Sequence, residues 1–153
     1  RRPHTEIINK AGERREVTGA DNEIWTFGEE NYKIMRKFIG IRELMRDYTR
    51  SLMKEAHEKG TPVIRAMFYE FPNDEKCWDI KDQYLFGSDI LVAPVCYEGA
   101  KSREVYLPTG ASWTNARDGR IYQGGITVEV NAPIETIPVF LKNGKQEYLI
   151  NKI

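Results

Sequence analysis

An apolar stripe at helical spacing, followed at once by an apolar run with nothing to pair with, constrains this chain more than any other feature. Ile34, Phe38, Ile41, Met45, Tyr48 and Leu52 recur at intervals of four, three, four, three and four, which puts them on one face of an α-helix. Met35, Leu44, Met53 and Ala56 widen the stripe, while Arg and Lys fill the other face. Glu29 and Glu30 precede the first turn, where negative charge suits the helix dipole. Lys59 and Gly60 close the span 31–59 in the order expected of a C-terminus, with Pro62 beyond. Gly40 costs roughly 1 kcal/mol inside a helix, so a kink or two consecutive helices is predicted. Residues 62–71, from Pro62 to Phe71, then form a mostly apolar run without alternation. Such a run predicts a strand buried on both faces, as in a parallel sheet. One helix and one strand cannot cover both faces of that strand. Residues 1–80 therefore read as the tail of a larger α/β domain.

From residue 84 onward the pattern is that of short strands. Ile90 to Val95 reads as a buried strand stopped by Pro94, and Arg103 to Leu107 alternates before Pro108. Ser112 to Ala116 and Arg120 to Gln123 flank Asp118-Gly119, a hairpin signal. Ile126, Val128 and Val130 alternate with polar residues, and Ile137 to Leu141 is a further apolar strand. Turns at such short spacing predict a small antiparallel β-sandwich. Residues 1–30 show no sustained period and read as a surface loop ending at Trp25-Thr26-Phe27-Gly28.

The 153 residues hold 23 Lys+Arg and 23 Asp+Glu, so the formal net charge is zero. No basic field is available to hold nucleic acid or an anionic membrane, and no apolar run approaches the roughly 20 residues of a membrane span. Cys77 and Cys96 stand outside any CxxC pair. One disulfide is open to them, but two lone cysteines are expected to be reduced, in a cytoplasmic protein. His4 and His57 are the two histidines, too few for the usual zinc ligand set. No metal or organic cofactor is expected. The chain opens on Arg1 with no charged-then-apolar leader pattern, and without an initial Met it reads as trimmed or excised from a longer chain.

Several segments, in order and spacing, carry a resemblance. They are Trp25-Thr26-Phe27-Gly28-Glu29-Glu30, Ala56-His57-Glu58-Lys59-Gly60-Thr61-Pro62-Val63-Ile64-Arg65-Ala66-Met67-Phe68 and Glu70-Phe71-Pro72. They continue with Asp82-Gln83-Tyr84-Leu85-Phe86-Gly87-Ser88-Asp89-Ile90-Leu91-Val92-Ala93-Pro94-Val95, Val105-Tyr106-Leu107-Pro108 and Ile137-Pro138-Val139-Phe140. Together these resemble the C-terminal part of glycoside hydrolase family 31, the α-glucosidases and α-xylosidases. The resemblance implies an α+β chain: the last helix and strand of a (β/α)8 barrel in residues 1–80, then the proximal C-terminal β-sandwich in 81–153. The tail from Gly144 to Ile150 departs from the family's usual ending.

It also implies a retaining glycosidase acting on terminal α-linked glucose or xylose. Such an enzyme uses two carboxylates about 5–5.5 Å apart, one as nucleophile and one as acid and base. In the family both lie upstream of the segment seen here, so no catalytic residue is expected in this chain and the chain alone is expected to be inactive. Trp78-Asp79 echoes one of the upstream motifs but falls after the last barrel strand. Arg2 and His4 match the family's Arg-x-His, which lines the subsite for the non-reducing sugar. The alternative is a terminal triplet without a role, and the apolar residues that normally precede the motif are absent.

The remaining candidates have structural readings. His57 near the helix end suits the dipole. Arg65 inside an apolar strand needs a carboxylate partner. Asp82 and Asp89 read as turn caps at the junction. Trp25, Trp78 and Trp113 could stack on sugars but more often fill cores or interfaces. Expected partners are an oligosaccharide or α-glycoside and the rest of the barrel, with self-association of the isolated chain through the helix face. A stand-alone carbohydrate-binding module, using Tyr106, Trp113 and Tyr122, or an oligomerisation piece are the competing readings.

Overall fold

The computed structural model describes residues 4–18 and 22–153, without the side chains of residues 4, 5 and 16–18. The chain divides after Gly40 into two compact units, each described by itself.

The first unit corrects the expectation of a surface loop over residues 1–30. Strands β1 (His4–Ile8) and β2 (Arg14–Thr18) pair antiparallel, with His4 opposite Thr18 and Ile8 opposite Arg14. The connection is held by the Asn9 side chain, whose Oδ1 accepts the backbone N–H groups of Ala11 and Glu13 at 2.9 Å each, an Asx turn. This hairpin escapes periodicity because Glu6, Arg14 and Arg15 are exposed and no buried face imposes alternation. A single 3-10 turn, Ile24–Phe27, precedes α1 (Glu29–Leu44), which runs across the boundary into the second unit.

Helix α2 (Arg46–Lys59) follows α1 with a break at Met45, five residues beyond Gly40, so the predicted two-helix arrangement is present with its joint displaced. Gly60, at φ 70°, returns its N–H to the Ala56 carbonyl at 3.0 Å and ends α2 as the sequence requires. Leu52 is buried, and the Tyr48 hydroxyl donates to the Phe86 carbonyl at 3.2 Å while accepting the Asp89 N–H at 3.3 Å. The close approach of α2 to this turn explains Gly87: its φ is +64°, and a Cβ there would sit 2.2 Å from the Tyr48 oxygen and 2.7 Å from Leu52.

Strand β3 is Ile64–Ala66, which corrects the expected span 62–71, and the one edge paired among the described residues is antiparallel rather than parallel. It pairs antiparallel with β4 (Tyr84–Phe86), Ile64 facing Phe86 and Ala66 facing Tyr84. Only Arg65 of β3 is buried, because β3 is the edge of its sheet and its other face is left exposed by the described residues. Residues Met67–Glu70 turn into the short helix α3, and Lys76–Asp79 form a second, α4.

The rest is antiparallel sheet. Strands β5 (Ile90–Val92), β6 (Ser102–Leu107), β7 (Ser112–Asn115), β8 (Ile121–Gln123), β9 (Ile126–Asn131) and β10 (Val139–Lys142) follow in the chain. Six strands make one sheet in the order β3-β4-β5-β10-β7-β8, and β6 pairs with β9 apart from it. Leu85, Leu91, Leu107, Trp113, Val130 and Phe140 pack between the two. The Asp118-Gly119 hairpin forms as predicted, with Gly119 at φ 74°. β6 departs from alternation: Val105, Tyr106 and Leu107 are all buried. Its edge is satisfied by the buried Gln83 side chain, which donates to the Tyr106 carbonyl and accepts the Tyr106 N–H, both at 2.9 Å.

Candidate functional site

Chemistry-bearing side chains concentrate where β3 gives way to α3 and α4. Arg65 is the one inward residue of β3 and is 4% exposed. Its Nε donates to the Pro62 carbonyl at 2.7 Å, and its guanidinium pairs with Glu70 and, at 3.2 Å, with Glu55 of α2. Lys142 of β10 reaches the second Glu70 oxygen at 4.0 Å. Two cations thus meet two carboxylates, so the burial that by itself would lower the Arg65 pKa is outweighed and the guanidinium is held charged. This is the structural ion pair the sequence required, tying α2, β3, α3 and β10 together.

Asp74, in the bend between α3 and α4, is a second staple. Its carboxylate accepts the Tyr106 hydroxyl at 2.9 Å, the Thr109 N–H at 2.9 Å and the Thr109 hydroxyl at 3.0 Å. Burial pushes its pKa up, but these hydrogen bonds prevail and hold it below the usual carboxylate range. The partner Tyr106 hydroxyl is pushed up to about 12, by burial and then by the hydrogen bond to Asp74. A carboxylate depressed in the folded state stabilises above its unfolded pKa, and that stability is lost as pH falls through the folded value. Urea midpoints should therefore fall steeply below about pH 4, and Asp74→Asn should flatten that fall while lowering neutral stability by about 1–3 kcal/mol.

Asp89 is a third staple. Burial raises its pKa, yet hydrogen bonds from Gln146 at 2.9 Å and Ser88 at 2.8 Å, with Lys145 at 3.5 Å, bring the net shift down. Asp82 pairs with Arg103 at 2.9 Å. Both aspartates are held by hydrogen bonds or ion pairs within residues 82–146. His57 is exposed in the last turn of α2. Cys77 and Cys96 are unpaired thiols, and Cys77 is pushed up to about 12 by burial and then by the charge of Asp74.

Beside these closed clusters lies an open aromatic surface. Phe68 of α3 and Trp78 of α4 stack with ring centroids 4.9 Å apart and planes 15° from parallel. The Trp78 Nε1–H donates to the Pro72 carbonyl at 3.0 Å, which fixes the indole while leaving it 58% exposed. Tyr69 stands exposed beside the pair, with the Arg65 guanidinium 5.8 Å from its ring. An immobilised, exposed aromatic face suits the C–H face of a pyranose. The sequence treats Trp78 as one scattered tryptophan and Phe68 as part of a strand. Their juxtaposition across ten positions depends on the bend at Asp74.

The two predicted sugar-contacting residues are not placed. Arg2 lies outside the described residues, and of His4 only the backbone, at the start of β1, is described. Asp79 is exposed, with no hydrogen bond or ion pair among the described residues. Of the three aromatics offered for a binding module, Trp113 and Tyr106 are buried and only Tyr122 reaches the surface. Among the described residues no cluster of His, Cys, Asp and Glu could hold a metal ion.

Known proteins match this architecture closely. A sequence model described as the glycosyl hydrolase family 31 C-terminal domain matches residues 60–145. Alpha-glucosidase 2 of Bacillus thermoamyloliquefaciens is 36% identical over 122 residues, covering 80% of this chain and 15% of that protein. An alpha-xylosidase of Saccharolobus solfataricus is 31% identical over 130 residues, 85% of this chain and 18% of that protein. Among solved structures, a family 31 alpha-xylosidase from a soil metagenome, complexed with xylose, superposes with a TM-score of 0.85 at 42% identity. That match takes in 97% of this chain and 22% of the other. A family 31 dextranase of Flavobacterium johnsoniae, solved with isomaltotriose, gives a TM-score of 0.79 at 39% identity over 83% of this chain and 16% of its own. The chain thus spans less than a quarter of each of these proteins.

Proposed function

The chain belongs to glycosyl hydrolase family 31, and from that premise we propose that it is the C-terminal part of a retaining α-glycosidase that removes terminal non-reducing α-linked glucose or xylose. Residues 1–80 would end the catalytic barrel and 81–153 form the sandwich that supports it. The observation that carries this reading is β3. It is hydrogen-bonded into the sandwich on one edge, while its outward Ile64 is 61% exposed and no strand of the described residues pairs with its other edge. A strand so placed suits the last strand of a barrel whose remainder is supplied by the rest of the parent.

On this reading the two reacting carboxylates belong to upstream parts of the parent, and this chain contributes no group that forms or breaks the glycosidic bond. Its residues position and enclose. The Arg65–Glu70–Glu55 network fixes the end of β3, and Asp74 fixes the loop that follows. Active sites of such barrels lie on the loops after the strands, so the Phe68–Trp78 face would border the catalytic mouth. Arg2 and His4 would donate hydrogen bonds to hydroxyls of the non-reducing sugar.

Two measurements test the proposal. The purified 153-residue chain should release no nitrophenol from 4-nitrophenyl α-glucoside or α-xyloside, whereas a parent restoring the upstream barrel should hydrolyse at least one. Hydrolysis by the chain, abolished in Asp79→Asn, would overturn it. The isolated chain should also self-associate through its helices, which leave Ile39, Leu44 and Met53 exposed. Sedimentation at micromolar concentration should show species heavier than 17.8 kDa, and a single monomer boundary would remove this part of the reading.

A further inference from the structure

We propose that the sandwich carries its own binding groove for a neutral oligosaccharide, separate from the barrel mouth and floored by Tyr122. The groove encloses about 420 Å³ between the β7–β8 turn and the end of β9, within the range of ligand pockets. The Tyr122 ring is half-buried and held edge-on against Phe140, centroids 6.0 Å apart, so its orientation is set before any ligand arrives. Arg117, Asp118 and Arg120 of the turn and Glu129 of β9 line the groove, with Arg120 paired to Asp118 at 3.5 Å and Arg117 donating to the Asn131 carbonyl at 3.4 Å. Two cations and two carboxylates cancel, so the groove offers strong donors and acceptors without a net field. That suits a polyol rather than a phosphate or a metal ion.

The polar groups are partly pre-arranged. The Asn115 Oδ1 accepts the Arg117 N–H at 2.9 Å and the Asp118 Oδ1 accepts the Arg120 N–H at 3.0 Å, which fixes the turn. Ser102 donates to Glu129 at 2.9 Å. No described residue hydrogen-bonds the Tyr122 hydroxyl or the Asn131 side-chain amide, although both line the groove. A hydroxyl and an amide left open beside a fixed aromatic ring are what successive sugar hydroxyls would engage. The choice of an α-linked oligosaccharide, rather than another polyol, rests on the proposed function.

The test is heteronuclear NMR titration of the 153-residue chain with maltotriose and, separately, isomaltotriose to 20 mM. Shifts should cluster at residues 115–122 and 129–131 with at least one of the two sugars. Tyr122→Ala should weaken binding at least tenfold, with other spectral changes confined to the neighbourhood of Phe140. Asn131→Ala, at an exposed position of β9, should weaken it several-fold. No shifts with either sugar, shifts confined to Phe68 and Trp78, or unaltered binding by the Asn131 variant would each overturn the groove. Hydrolysis by the parent is read independently, so loss of the groove with an active parent leaves the glycosidase reading intact.

Discussion

Replacing Arg65 with methionine is expected to cost about 3 kcal/mol of folding stability, the low end for breaking a buried pair by removing one partner. The change keeps the length and much of the apolar stem but leaves Glu70, itself 15% exposed, without its main counter-charge. Lys142 at 4.0 Å cannot replace a guanidinium in direct contact. Glu55 is a third exposed and can turn to water, which holds the cost below the upper end. The double variant Arg65→Met, Glu70→Leu should recover much of the loss, because the Glu70 charge goes with its partner and Lys142, 19% exposed, keeps its contact with the Phe71 ring. Urea unfolding followed by tryptophan fluorescence measures both. A single variant as stable as wild type, or a double variant worse than the single, would show that the network does not hold the end of β3.

A methyl group at Gly124 is expected to do comparable damage by a different route. A Cβ there would lie 1.9 Å from the Pro108 carbonyl oxygen and 2.9 Å from that of Ala111. Both obstacles are backbone, so no rotamer change relieves them. The Gly124 and Gly125 N–H groups also donate to the Ala111 and Leu107 carbonyls at 2.9 Å and 2.7 Å, which binds the β8–β9 corner to the β6–β7 corner. Gly124→Ala must open that junction or break those bonds, at about 3 kcal/mol, near the top of the usual overpacking range. Gly99→Ala, at a site where a Cβ meets nothing within 4 Å, gives a control whose cost is limited to its φ of +74°. Equal thermal midpoints for the two variants would refute the account.

Much of the fold and part of the candidate site is legible in the residue order, and the boundary between what is and is not legible is physical. The helices are written in local periodicity: an apolar residue every three or four positions, acid before the first turn, Gly60 after the last. The β7–β8 hairpin is written in Asp118-Gly119, since a positive φ there needs glycine. Arg65 within an apolar run demands a carboxylate, though not which one. These statements involve neighbours within a few residues, where the chain's own geometry limits the outcome.

The tertiary structure alone decided the rest. The apolar content of residues 62–71 says that something covers them. Only the sheet order shows β3 as an antiparallel edge, with Ile64 and Ala66 left exposed by the described residues. Composition cannot tell Trp113, sealed in the core, from Trp78, pinned by Pro72 and open on one side. Nor can it bring Asp74 to Thr109, or Tyr122 to Asn131. Each of these depends on partners far away in the sequence, whose meeting is set by how the sheets close. Local propensity constrains φ and ψ residue by residue, whereas burial belongs to the assembled chain, and it is burial that separates a staple from a binding surface.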